Sequence, residues 1–165
     1  MLENSNQGQT PFSEEVKEII KISLRYLSLR EYSELELQKK IKRNYSFNGQ
    51  SFSKAFEHLR SNNYLSADRF VKQTVKQLKS KGYSYSYISK SLSLHNINRN
   101  TVDLTMCEID SDLESIKKLI SKKIHPEEIR KIDKKKFASI MRYIISKGHI
   151  YSEAKEVLNS LKRDL

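Results

Sequence analysis

Apolar residues recur at steps of three and four along nearly the whole chain, and this constrains the fold more than any other feature. Val16, Ile19, Ile20, Leu24 and Leu27 form one such stripe, Phe52, Ala55, Phe56 and Leu59 another, and Phe70, Val71, Val75 and Leu78 a third. That spacing puts side chains on one face of an α-helix. Only four glycines and two prolines interrupt the 165 residues, too few turn formers for an all-β architecture. The expected fold is all-α, with about nine helices joined by short links.

Capping signals punctuate the stripes. Ser33 with Glu36, and Ser111 with Glu114, have the Ser-x-x-Glu spacing of a capping box. Ser66 stands ahead of the Phe70 stripe, with Asp68 placed to favour the positive helix start. Ser84 or Ser86 opens a fifth helix running through Ile88 and Leu92 towards His95 and Asn96. Asn98 or Asn100 opens a sixth with Val102, Met106 and Ile109, and Asp133 a later one with Phe137, Ile140, Met141, Ile144 and Ile145. The seventh carries Leu113, Ile116 and Ile120, and Ala154, Val157, Leu158 and Leu161 line the last. Gly82 and Gly148 mark helix ends, Gly49 sits in a polar connector, and Pro126 suits the first position of a short turn or helix. Residues 1–12 read as a flexible polar lead-in.

Three stretches repeat one another: SLRYLSLREYSELELQKKI, TVKQLKSKGYSYSYISKSL and SIMRYIISKGHIYSEAKEVL. With Tyr32, Tyr83 and His149 superposed, Leu24, Val75 and Met141 coincide. So do the basic residues Arg30, Lys81 and Lys147, and then Leu37, Ile88 and Ala154. Each copy reads as apolar helix, basic residue, tight turn and second apolar helix, a unit that must stack to bury its apolar face. The unequal spacing of the copies implies an insertion near residues 110–130 or a loss of strict periodicity. The expected architecture is three tandem three-helix repeats over residues 13–62, 63–109 and 110–165, elongated and curved.

No phosphate-binding loop, dinucleotide turn or nucleophile elbow occurs, and the four histidines show no zinc-binding spacing. Neither an enzymatic centre nor a cofactor is expected. Cys107 is the only cysteine, which rules out an internal disulfide and fits a reducing compartment. It falls between Met106 and Ile109, where a small buried hydrophobe is expected. With no apolar signal segment or membrane-length run, the expected location is the cytoplasm.

Lys and Arg number 31 against 20 Asp and Glu, a formal charge of +11 that favours a polyanionic partner. AT-rich coding can give the same Lys, Asn, Ile and Ser bias without selection for binding. The positive charge is clustered. Lys72, Lys76 and Lys79 are spaced as one helical stripe, extended by Lys81 and followed by Tyr83, Tyr85 and Tyr87. Lys117, Lys118, Lys122 and Lys123 form a second group, and Arg130, Lys131, Lys134, Lys135 and Lys136 a third. Lysines beside tyrosines can grip phosphates and stack on bases, although any one such cluster also matches an ordinary solvated helix face.

The segment Leu24-x-x-Leu27-x-x-Arg30-Glu31-Tyr32-Ser33-x-x-Glu36-Leu37 resembles the opening of RecX proteins. Asn63-Tyr64-Leu65 followed by Arg69-Phe70 is similar to that family's Gly-Tyr/Trp-Leu-Asp-Asp-x-Arg-Phe-Ala segment. Lys134 to Gly148 is similar to its terminal helix and Arg-Arg-Gly-Phe turn. Ser66 and Ala67 replace the acidic pair here, and Ser146-Lys147-Gly148-His149 replaces the last motif. The resemblance implies three tandem three-helix repeats and a monomeric inhibitor of the RecA recombinase. Such a protein lies in the groove of the RecA–single-stranded DNA filament and suppresses its ATPase, strand-exchange and coprotease activities. Arg69, Lys72, Lys76, Lys79, Lys81, Tyr83, Arg142 and Lys147 are the candidate partner- or DNA-binding residues. The alternative is a helical protein that binds DNA or RNA directly and acts independently of RecA.

Overall fold

A computed structural model describes residues 12–106 and 111–163. Most of the lead-in, and Cys107 and Ile109, lie outside the described residues. Phe12 is described and sets its ring edge-on to His58, with centroids 5.0 Å apart. Among the described residues there are nine α-helices, one 3-10 helix and no strand. The chain divides into two compact units, with the boundary between Ala67 and Asp68.

The first unit holds α1 (Glu14–Leu27), α2 (Glu34–Asn44) and α3 (Gly49–Ser61). Ser13, Ser33 and Asn48 cap them, each side-chain oxygen accepting a backbone N–H from the first turn. The connector around Gly49 is shorter than its polarity suggests, because the Asn48 cap starts α3 at Gly49 itself. Ile19, Leu37, Ile41, Phe56 and Leu59 are fully buried in the shared core. α1 packs mainly on α3. At one end of that contact Glu15 accepts the Asn48 N–H at 2.8 Å and the Ser51 hydroxyl. These bonds, the Ser51 one foremost, hold the Glu15 carboxyl below its ordinary pKa of 4.5. Asn63 ends α3 in the left-handed region, and the Tyr64 N–H bonds back to the Leu59 carbonyl at 2.9 Å.

The second unit contains two apolar cores. Phe70, Val71, Val75, Ile88, Leu92, Val102 and Met106 come from α4 (Ala67–Ser80), α5 (Tyr85–Ser93) and α6 (Arg99–Met106). Ile116, Leu119, Ile120, Ile140, Met141, Ile144, Ala154 and Leu158 come from α7 (Asp112–Ser121), α8 (Lys134–Ser146) and α9 (Tyr151–Arg163). Ser84, Ser111 and Asp133 are the caps of α5, α7 and α8. Asn98 accepts the Asn100 N–H at 2.9 Å ahead of α6. Leu113, expected on the inner face of the seventh helix, is 50% exposed, and Ser115 and Leu119 are buried there. Pro126–Lys131 forms the 3-10 helix, with Ile129 turned into the core.

Candidate interaction face

The α4–α5 and α8–α9 turns, which the sequence matches to each other, are in contact within the second unit. α4 closes with a Schellman pattern: the Tyr83 N–H bonds to the Leu78 carbonyl at 3.1 Å and the Gly82 N–H to the Lys79 carbonyl at 2.8 Å. Gly82 has φ +78° and Gly148 φ +87°, the left-handed geometry that glycine adopts without strain. The Ser84 N–H donates to the Lys147 carbonyl at 3.0 Å and the Ser84 hydroxyl to the Gly148 carbonyl at 2.8 Å. In return His149 Nε2 lies 2.8 Å from the Gly82 carbonyl. That oxygen can only accept, so Nε2 carries the hydrogen. His149 Nδ1 is buried without a hydrogen-bond partner.

A run of cations and rings crosses this clasp. Tyr83 stacks on Tyr87 with centroids 4.3 Å apart and planes 23° apart. Lys147 Nζ sits 4.2 Å from the Tyr83 centroid and 5.7 Å from that of Tyr143. Lys123 Nζ lies 4.4 Å from the Tyr143 centroid. Lys123, Tyr143, Lys147 and Tyr83 therefore follow one another as cation, ring, cation and ring, and the run ends in the Tyr83–Tyr87 stack. Each half-exposed cation–π contact contributes only about 0.5–1 kcal/mol. The lysines are pre-positioned but weakly held, so an anionic partner can draw them away.

The candidate residues fall into separate places. Tyr83 and Lys147 meet in this ladder. Lys72 and Lys76 are exposed one turn apart on α4, and Lys81 is exposed just beyond its end. Arg69 is half-buried in the first turn of α4. Arg142 is exposed on α8, its Nε donating to the Ala138 carbonyl at 3.4 Å.

Lys79 is not part of the exposed stripe. Its side chain is 7% exposed, with Nζ 2.7 Å from an Asp112 carboxylate oxygen and 3.4 Å from the Ser115 hydroxyl. Asp112 also accepts the Tyr85 N–H, at 3.0 Å to each oxygen. The pair ties the end of α4 and the start of α5 to α7. Tyr85 in turn donates its hydroxyl to Asp103, which, with burial, pushes the phenol above its ordinary value.

Tyr87, Lys123 and Tyr143 join the ladder although they are not among the sequence candidates. Tyr143 stands four residues before Lys147 on α8, a spacing that brings two side chains together on a helix. In the first unit the matching residues are engaged internally. Arg30 lies 3.7 Å from the Tyr32 centroid and pairs with Glu36, which raises its pKa. Lys40 Nζ donates to the Tyr32 hydroxyl at 3.1 Å.

Among the described residues no helix is long and apolar enough to cross a membrane. No family model matches the chain. The regulatory protein RecX of Mannheimia succiniciproducens is 31% identical over 123 residues, covering 74% of this chain and 80% of that protein.

Proposed function

This chain belongs to the RecX family, and from that membership we propose that it is a negative regulator of RecA, acting as a cytoplasmic monomer in the groove of the RecA–single-stranded DNA filament. It restrains the filament's ATPase, strand-exchange and coprotease activities. The observation that carries the reading beyond family is the Lys123–Tyr143–Lys147–Tyr83–Tyr87 ladder. A nucleoprotein filament offers both anionic groups for such lysines and protein surface for the rings, and complementary charge speeds and orients the encounter. Lys72, Lys76, Lys81 and Arg142, exposed elsewhere on the second unit, and the half-buried Arg69 are proposed as further contacts for the same filament. Lys79 acts only by holding the elements together.

The tandem-repeat architecture over residues 13–62, 63–109 and 110–165 belongs to the same proposal. It is supported by three apolar cores, each drawn from three successive α-helices.

The test is ATP hydrolysis by RecA on single-stranded DNA with purified protein added. Inhibition is expected at well below one molecule per RecA monomer. Absence of inhibition, or inhibition only at one-to-one and above, would count against groove binding. A direct nucleic-acid binder would use the same ladder. Tight binding to bare DNA with a steep salt dependence, and no effect on RecA, would favour that alternative.

A further inference from the structure

The rings of the ladder are not equally occupied. Tyr143 has Lys123 at 4.4 Å and Lys147 at 5.7 Å from its centroid, and Tyr83 has Lys147 at 4.2 Å and Tyr87 at 4.3 Å. Tyr87 ends the run. Its ring lies against Tyr83 with planes 23° apart and is still 42% exposed, so the stack stops at a flat aromatic surface that meets water. A ring already aligned by its neighbour gives up little freedom when a third planar group is added. Every nucleobase has a π-face that can serve as that group.

The surroundings of this platform are positive. Lys90 follows Tyr87 by three residues on α5, the spacing that brings two side chains to one side of a helix. It is exposed and has no ion pair among the described residues. Tyr87 stands in the first turn of α5, the positive end of the helix dipole. Asp112, the carboxylate at that end, is occupied by Lys79 and by the Tyr85 N–H. No Asp or Glu stands between Asp68 and Asp103, a stretch that carries Lys72, Lys76, Lys79, Lys81 and Lys90. Lys147, beyond Tyr83, is held by rings rather than by a carboxylate. An acidic peptide would engage these lysines and leave the flat face of Tyr87 unused, and a duplex keeps its base faces covered. A single strand uses both the charge and the ring.

We propose that the open face of Tyr87 stacks an unpaired base of single-stranded DNA, whose flanking phosphates are taken by Lys90 and Lys147. The proposal rests on the filament reading and deepens it, because it assigns the Tyr87 end of the ladder to the DNA strand and not to RecA.

The chain contains no tryptophan, so Tyr87→Trp places a single fluorophore on the platform. Octameric oligothymidylate titrated into the full-length variant at low salt should quench its emission saturably. An abasic octamer, which keeps the phosphates and lacks the bases, should leave the emission nearly unchanged, as should polyglutamate and a blunt duplex. Tyr64→Trp, a reporter in the first unit, should be quenched less than a quarter as deeply. Anisotropy of labelled oligothymidylate gives a second reading: Tyr87→Ala and Lys90→Glu should each weaken binding at least tenfold, and Lys131→Glu less than twofold. In the wild-type protein the Tyr87 ring protons should shift upfield under the ring current of the base. Quenching by the abasic strand or polyglutamate as deep as by oligothymidylate, unshifted Tyr87 ring protons, or undiminished binding in Tyr87→Ala would overturn the proposal. RecA takes no part in these titrations. Failure here with RecA inhibition intact therefore strikes the stacking alone, and loss of RecA inhibition with quenching intact strikes the filament reading alone.

Discussion

Replacing Asp112 by Ala should cost more stability than replacing its partner Lys79 by Met. In Asp112→Ala the Lys79 ammonium stays 7% exposed with only the 3.4 Å contact to Ser115, and the Tyr85 N–H loses its acceptor. Removing one partner of a buried ion pair costs about 3–5 kcal/mol. Asp112 is 29% exposed, so water reaches the vacated position and the expected loss is nearer about 2–3 kcal/mol. In Lys79→Met the buried stem is replaced by a similar apolar one, and Asp112 keeps the Tyr85 N–H and its solvent contact. Here the loss should be about 1 kcal/mol. Urea unfolding followed by far-ultraviolet circular dichroism measures both, and hydrogen exchange at the Tyr85 amide gives a local reading that should accelerate only in Asp112→Ala. Equal losses in the two variants, or an unchanged Tyr85 amide in Asp112→Ala, would refute the assignment of Lys79 as an interior tie.

Gly148→Ala should destabilise by about 2 kcal/mol, because φ is +87° and a Cβ would lie 2.7 Å from Ser84 Oγ and 2.8 Å from Tyr87 Cβ. Gly49→Ala, where a Cβ meets nothing within 4 Å, should be neutral or slightly stabilising in the same thermal melt. Glu15 has a folded-state pKa below the ordinary 4.5, so its contribution is present above that value and lost as pH falls through the lowered one. Glu15→Gln should therefore flatten that part of the acid limb in a stability-versus-pH series. Lys147→Gln, and separately the triple change of Lys72, Lys76 and Lys81 to Glu, should each weaken inhibition of the RecA ATPase at least tenfold. The changes at Lys72, Lys76 and Lys81 are at exposed positions and cost within about 0.5 kcal/mol each, so that melting curve should barely move, whereas Lys147→Gln gives up its contacts to Tyr83 and Tyr143, about 0.5–1 kcal/mol each.

The helices were readable because their signals are local. Ser33, Ser84, Ser111 and Asp133 each accept an N–H three residues on, and the apolar stripes follow within the same turns. Gly49 misled because a glycine at the first helical position loses little, and the Asn48 cap outweighs it. The site was readable only where it is local too. Lys79 has the same spacing as Lys72 and Lys76, and what turns it inward is a carboxylate thirty-three residues later in the chain. The stacking of Lys147 on Tyr83 likewise depends on two distant turns meeting. The repeat placed Lys81 with Lys147 and Gly82 with Gly148, but nothing in it said that the matched turns would touch.

That contact also explains a departure from the RecX pattern. His149 stands where the family's terminal turn carries Phe, and it is 4% exposed. A Phe ring could fill the same space but could not donate to the Gly82 carbonyl, as His149 Nε2 does at 2.8 Å. Against that bond stands the buried Nδ1, which has no partner. One hydrogen bond contributes about 1 kcal/mol net, and burying an unpartnered polar atom costs a similar amount. His149→Phe should therefore leave stability within about 1 kcal/mol of the wild type, whereas His149→Ala, which opens a cavity at the clasp, should lose about 3 kcal/mol. Urea midpoints separate the cases. A loss in His149→Phe as large as in His149→Ala would mean that the hydrogen bond to Gly82, rather than the filling of the turn by a flat ring, holds the two turns together.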